Sequence, residues 1–83
     1  MYELKIIPKA QKDLNALRGE EFGRIKSKIL TLRDNPRPVG SIKLTAQDGY
    51  RVRVGDYRVL YRIEEKEKTV YIYRIKARDE AYR

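Results

Sequence analysis

The chain contains no cysteine and no histidine, only three prolines and one methionine, and no extended apolar run. Without cysteine there is no disulfide framework and no thiolate metal site. Without histidine the usual general base and the commonest metal ligand are both missing. A structural zinc, a Ser-His pair or a Cys-His nucleophile is therefore excluded by composition, and neither a metal nor a cofactor is expected. No apolar stretch approaches the roughly 18 residues of a membrane span, and MYELKIIPK lacks the apolar core of a signal peptide. The expectation is a soluble cytoplasmic protein with no membrane partner. At 83 residues the chain has room for one domain, residues 1–83, with a thin core.

What the chain has in excess is positive charge. Twenty Lys and Arg face twelve Asp and Glu, giving a net charge of +8. Residues 1–40 and 41–83 each carry +4, so the excess belongs to the whole globule and not to a tail. Such a field favours polyanions, either nucleic acid or an acidic protein. A solvated, highly charged surface of the thermophile kind is the plain alternative, since 39% of residues are charged.

The apolar spacing predicts the elements. Tyr2 to Ile7 alternates as a strand does. Pro8 then suits the first turn of a helix, along which Ala10, Leu14 and Leu17 form a stripe that Gly19 closes. A second helix begins near Glu20 and carries Phe22, Ile25, Ile29 and Leu32 at 3-4-3 spacing until Asn35-Pro36-Arg37-Pro38 stops it. Residues 39–48 read as a connection with one apolar point at Ile42 to Leu44. Three strands follow, near Tyr50–Val54, Tyr57–Glu64 and Thr69–Ile75. The order β-α-α-β-β-β predicts an α+β fold, two antiparallel helices packed on one face of a small antiparallel sheet.

The stretch GYRVRVGDYRVLYRI, residues 49–63, is the most informative. Gly55-Asp56 fits a two-residue hairpin loop. That loop pairs Val54 with Tyr57, Val52 with Val59 and Tyr50 with Tyr61, a continuous apolar face for the helices. The opposite face then holds Arg51, Arg53, Arg58, Leu60 and Arg62, with Arg53 directly across from Arg58. Like charges so placed repel, and no acidic residue of the hairpin shares that face. Guanidinium groups gathered this way match phosphate, which they bind bidentately. Tyr71, Tyr73 and Tyr82 are candidates for base stacking, the register of the last strand deciding which of them face the cluster. A basic sheet face with aromatics suits single-stranded RNA or DNA better than a duplex.

The segments KL at 43–44, YRVRVGDYRVLY at 50–61 and RIKARDEAYR at 74–83 resemble the RelE/ParE superfamily of bacterial and archaeal toxins, and the likeness spans nearly the whole chain. The resemblance implies a RelE-like fold and the toxin of a type II toxin–antitoxin system. RelE-like members are endoribonucleases that cut mRNA in the ribosomal A site, whereas ParE-like members poison DNA gyrase without catalysis. At the discriminating positions the chain looks like the ribonuclease branch. Arg51 and Arg53 stand at the paired basic positions of the second strand and Arg58 at the arginine of the G-x-YR element. Arg78 and Tyr82 match the C-terminal arginine and tyrosine. The catalytic set implied is thus Arg51, Arg53, Arg58, Arg78 and Tyr82, with Lys43, Arg62, Arg74 and Lys76 as RNA-binding side chains. Relatives often have lysine where Arg51 and Arg53 stand, and histidine or another basic residue where Ala77 stands. The alternatives are a ParE-like gyrase poison or a catalytically decayed RNA-binding homologue. The partners implied are an acidic RelB-like antitoxin, mRNA and the ribosomal A site, with operator DNA reached only through the antitoxin complex.

RNA cleavage by 2′-OH attack needs a base, charge stabilisation at phosphorus and a proton for the departing 5′ oxygen. Arginine does not lose its proton, so the arginines are electrostatic clamps. Proton transfer falls to Tyr82, Lys43, Lys76 or Glu80. Tyr82 is the preferred base, its phenol made more acidic by neighbouring arginines.

Overall fold

The computed structural model describes residues 1–44 and 49–77. Strand β1 (Glu3–Ile6) runs into helix α1 (Pro8–Asn15), with Pro8 at the first helical position, where the missing N–H has no acceptor to lose. Helix α2 (Gly19–Thr31) carries Glu20 and Glu21 in its first turn, where the helix dipole favours acid. Gly19 takes a φ of +59°, a left-handed conformation that would strain any side-chain-bearing residue. It opens α2 and does not close α1, which ends at Asn15. Four strands complete the chain: β2 (Ile42–Leu44), β3 (Gly49–Val54), β4 (Tyr57–Glu64) and β5 (Thr69–Ala77).

The sheet order is β1-β5-β4-β3-β2. The hairpin pairs Tyr50 with Tyr61, Val52 with Val59, Arg53 with Arg58 and Val54 with Tyr57, as the two-residue loop requires. Gly55 has a φ of +58°, while Asp56 keeps a negative φ. Two features differ from expectation. The sheet is mixed and not wholly antiparallel, because β1 joins the far edge in parallel, Leu4 beside Val70 and Ile6 beside Ile72. Also, Ile42–Leu44 is not mere connection but a fifth strand on β3. Period-two alternation is the same for parallel and antiparallel neighbours, so the pattern in Glu3–Ile6 carries no sign of its direction.

Both helices pack on one sheet face, α1 chiefly on β5 and α2 reaching β3. The core joins Ala10, Leu14, Leu17, Ile25, Ile29 and Leu32 of the helical segment to Val52, Val59, Tyr61, Val70, Ile72 and Ile75 of the sheet. Both predicted stripes therefore lie in the core, Phe22 at its margin. Among the described residues no helix is long and apolar enough to cross a membrane.

Tyr61 is fully buried, stacks on Tyr50 at 5.8 Å between ring centres, and donates its hydroxyl to the Pro36 carbonyl at 2.7 Å. This bond fastens the proline-rich stop after α2 to the middle of the sheet. Burial is the main cause that pushes the Tyr61 phenol up to about 12. Tyr61→Phe should cost about 1–2 kcal/mol in a denaturant titration, since it leaves the buried Pro36 carbonyl without this donor. A raised phenol pKa stabilises the fold fully below the ordinary value of 10.0 and loses that contribution as pH rises towards about 12. The alkaline loss should accordingly be shallower in Tyr61→Phe; equal slopes would remove the buried phenol as its cause.

Candidate functional site

The sheet face turned away from the helices is built in rows, one residue from each strand per row. Register places Arg53 of β3, Arg58 of β4 and Lys76 of β5 side by side. Arg51, Leu60 and Arg74 form the next row. Arg62 and Tyr71 are paired in the row beyond, where Lys5 of β1 lies opposite Tyr71. Same-face rows along a strand are about 7 Å apart, so this basic field spans roughly 14 Å. The hairpin alone predicts four arginines here; the β4–β5 register adds Lys76.

The cations differ in access. Arg53 and Arg62 are exposed, Arg51 and Lys76 half-buried, and Arg58 only 3% exposed. Arg58 is engaged in interactions of its own and is not a free surface charge. Arg53 is thus the cation of its row most available to a ligand. Arg62 lies 5.0 Å from the centre of the Tyr71 ring and Lys5 5.9 Å from it, so that ring is already faced by cations. The Tyr71 hydroxyl donates to Glu67 at 2.6 Å.

Arg74 is drawn sideways. Its Nε donates to Asp13 Oδ2 of α1 at 2.9 Å, and the same oxygen accepts the Ile75 N–H at 2.9 Å. β1 stops beside Ile72; beyond that point, among the described residues, the outer edge of β5 has no strand partner, and Asp13 accepts the Ile75 N–H there. Burial would raise the Asp13 carboxyl, but the Arg74 and Ile75 bonds together with the Arg74 and Lys76 charges hold it below its ordinary value of 3.8. Arg74, expected as an RNA-binding side chain, has its Nε held by Asp13 of α1.

Lys43 is exposed on β2 and paired with Tyr50, which assigns it by alternation to the helix side and not to the arginine face. It lines a cleft of about 490 Å³ at the end of the sheet with Arg37, Tyr50, Arg62 and Glu64. There Arg37 bonds the Tyr50 hydroxyl at 3.2 Å and pairs with Glu65 at 2.8 Å, while Tyr2 donates to Glu65 at 2.8 Å. Arg78, Glu80 and Tyr82 lie outside the described residues. Ala77, the last described residue, pairs with Tyr57 beside the Arg53–Arg58–Lys76 row.

Two participants were not legible in the sequence. Asp13 is one, an acidic residue on a helix with no local sign of its task. The other is a β-bulge: Leu60 pairs with Arg74 but Tyr61 with Ile72, which leaves Tyr73 as an extra residue. Ile72 is buried in the core, and Tyr73 follows on the open face. A methyl group built on Gly49 would lie 2.7 Å from the Tyr73 hydroxyl, so the Tyr73 side chain reaches from β5 across β4 to β3. Burial raises the Tyr73 phenol, with the Arg62 charge opposing that rise.

Residues 4–82 match the family model described as the ParE toxin of the type II toxin–antitoxin system, parDE. A Methanocaldococcus jannaschii protein named as toxin RelE1 is 30% identical over 86 residues, which cover 99% of this chain and 96% of that protein. Among solved structures, the archaeal RelE–RelB complex from Pyrococcus horikoshii contains a chain 31% identical, with a TM-score of 0.79 and coverage of 93% of this chain and 94% of that one. The Mycobacterium tuberculosis toxin–antitoxin complex RelBE2 gives 26% identity, a TM-score of 0.81 and coverage of 93% and 98%.

Proposed function

Because the chain belongs to the ParE toxin family of type II toxin–antitoxin systems, within the RelE/ParE superfamily, we propose that it is an endoribonuclease that cuts mRNA and so stops translation in the cytoplasm. The observation that supports this best is the basic face itself, where Arg53, Arg58 and Lys76 occupy one row and Arg51 the next. Like charges so close are a cost to the free fold and an asset once a phosphate lies among them.

In the proposed reaction the RNA 2′-oxygen attacks the adjacent phosphorus. The P–O bond to the 5′ oxygen of the next nucleotide breaks, leaving a 2′,3′-cyclic phosphate and a 5′-hydroxyl. Arg51 and Arg53 hold the phosphate and match the charge that grows on its oxygens. Arg58, enclosed beneath, adds fixed positive charge. Tyr82, assisted by Arg78, takes the 2′-OH proton; the candidates for returning a proton to the 5′ oxygen are Lys76 and Glu80, since Lys43 stands on the helix side of β2. A site of clamps without histidine is suited to a substrate positioned by the ribosomal A site. The RelB partners of the M. tuberculosis and P. horikoshii toxins support an acidic RelB-like antitoxin for this chain, with operator DNA bound through that complex.

The ParE description of the matching family favours a second reading, a gyrase poison. Induced expression of wild type, Arg78→Ala and Tyr82→Phe, with mapping of mRNA 5′ ends, separates the two. Cleavage within codons that both substitutions abolish is the expected result. Blocked supercoiling with intact mRNA would establish the gyrase reading, and RNA binding without toxicity a decayed homologue.

A further inference from the structure

Strand β2 pairs with β3 only from Gly49 to Arg51, so from Val52 to Val54 the outer edge of β3 has no strand partner among the described residues. A two-residue hairpin makes Val54–Tyr57 and Val52–Val59 the hydrogen-bonded pairs, which turns the Arg53 N–H and carbonyl outward to that open edge. An open groove of about 800 Å³ runs between this edge and α2. Gly23, Arg24, Ser27 and Lys28 line it on the helix, Arg53 and Val54 on the strand. A methyl group built on Gly55 would stand 3.8 Å from Arg24 Nη1, so the Arg24 guanidinium reaches the hairpin loop next to Val54. The acidic residue of the lining is Glu20, which meets Arg24 at 3.7 Å with both side chains largely in solvent, a contact of little strength. Gly23 is the odd member of this wall. Glycine in a helix interior is less favourable than alanine, yet a Cβ at Gly23 would meet nothing within 4 Å and its backbone is not left-handed. Among the described residues nothing inside the fold calls for glycine there, so the missing side chain serves what approaches from outside.

We infer that this groove is a second phosphate track, which carries the single-stranded RNA off the arginine face past Arg53 and over Gly23, with Arg24 and Lys28 holding its phosphates; the inference rests on the nucleic-acid reading above. Arg53 belongs to both surfaces, since it lines the groove and also heads its row on the open face. One strand can therefore follow both without leaving positive charge. The polar groups along the way are chiefly donors: two helix cations, the Ser27 hydroxyl and the outward Arg53 N–H, a set that suits oxyanions spaced along a chain. An acidic peptide would find the same cations, but only a strand already held on the open face arrives at the groove through Arg53.

The test measures binding of the full chain to a 2′-O-methyl uridine trinucleotide, to the corresponding dodecanucleotide and to an oligoglutamate peptide. The methylated strands lack the attacking hydroxyl and stay intact. A trinucleotide has too few phosphates to fill both surfaces, so wild type is expected to bind the longer strand more tightly. Arg24→Gln combined with Lys28→Gln should weaken the dodecanucleotide roughly two- to thirty-fold. Its log–log salt slope should flatten by about 1.4, at about 0.7 for each of the two contacts. Trinucleotide binding should be unchanged, which also shows that the variant is folded. Gly23→Leu should weaken the longer strand with no change of charge and with a melting temperature level or higher, because leucine is the better helix former. If these variants leave dodecanucleotide binding intact, or weaken both lengths alike, the groove is off the track while the arginine face stands. If they keep both RNA affinities but lose oligoglutamate, the groove is instead a surface for an acidic protein. If Arg53→Ala weakens neither strand, the nucleic-acid reading itself falls and the track with it.

Discussion

Replacing Arg53 by alanine is expected to lower mRNA cleavage by roughly 10²–10³-fold, the size of effect seen when one donor to a developing anion is removed. Arg53 is the right position for this test because it is exposed and its neighbour Arg58 is not. Removing Arg58 would take away a buried group with interactions of its own, so lost folding and lost catalysis would be confounded. Removing Arg53 relieves the repulsion between Arg53, Arg58 and Lys76, so the melting temperature should hold or rise slightly. Activity down with stability level or up is the signature of a residue kept for a ligand. Arg53→Lys should recover only part of the lost activity, since a point charge survives but the bidentate fork is lost. Affinity for single-stranded RNA should also depend less on salt, its log–log slope falling by about 0.7 for the phosphate contact removed. Unchanged cleavage in Arg53→Ala would remove this row from the active site.

The second large effect is expected at Asp13, far from the arginines in sequence. Its carboxylate takes the Arg74 Nε–H and the Ile75 N–H, both at 2.9 Å, and its side chain is 20% exposed. Asp13→Ala strips a backbone N–H of its acceptor and a half-buried guanidinium of its counter-charge. A loss of about 2–3 kcal/mol follows, a fall of roughly 10 °C or more in the melting temperature of a domain this size. The pH dependence is a stricter check. Burial acts to raise this carboxyl, and the Arg74 and Ile75 bonds with the nearby cations outweigh it, so the folded value lies below 3.8. The contribution is therefore present above the ordinary value and lost as pH falls through the folded one. The gap between wild type and Asp13→Ala should be full at neutral pH and narrow below about pH 4. A gap constant down to pH 3 would show that the negative charge is not what holds the edge. Because Asp13 holds the edge of β5 next to Lys76 of the basic row, cleavage should fall along with stability.

The hairpin was the most legible part of the chain. A two-residue loop at Gly55-Asp56 leaves one register open, and the alternation of Val and Arg then decides both faces, so Arg53 opposite Arg58 follows from counting. The helical stripes were equally direct, since Ala10, Leu14, Ile25 and Ile29 at helical spacing have nowhere to go but the core. Less was legible at the sheet edges. Three residues, Ile42–Leu44, are too few to show a period, and Lys43 shares the side of Tyr50 only because β2 pairs with β3 in that register.

The sequence by itself determined a small basic α+β domain with an arginine face and, through its motifs, a toxin family. Those are properties of spacing and composition, which survive any placement of the elements. Only the tertiary structure decided that β1 lies parallel to β5, that Lys76 joins the arginine row while Arg74 turns to Asp13, and that a bulge lays Tyr73 over Gly49. Each of these depends on which residue of a distant strand or helix stands opposite, and a one-residue shift in β5 moves every later side chain to the other face. No local pattern encodes that shift; the packing of Ile72 and Ile75 into one shared core does.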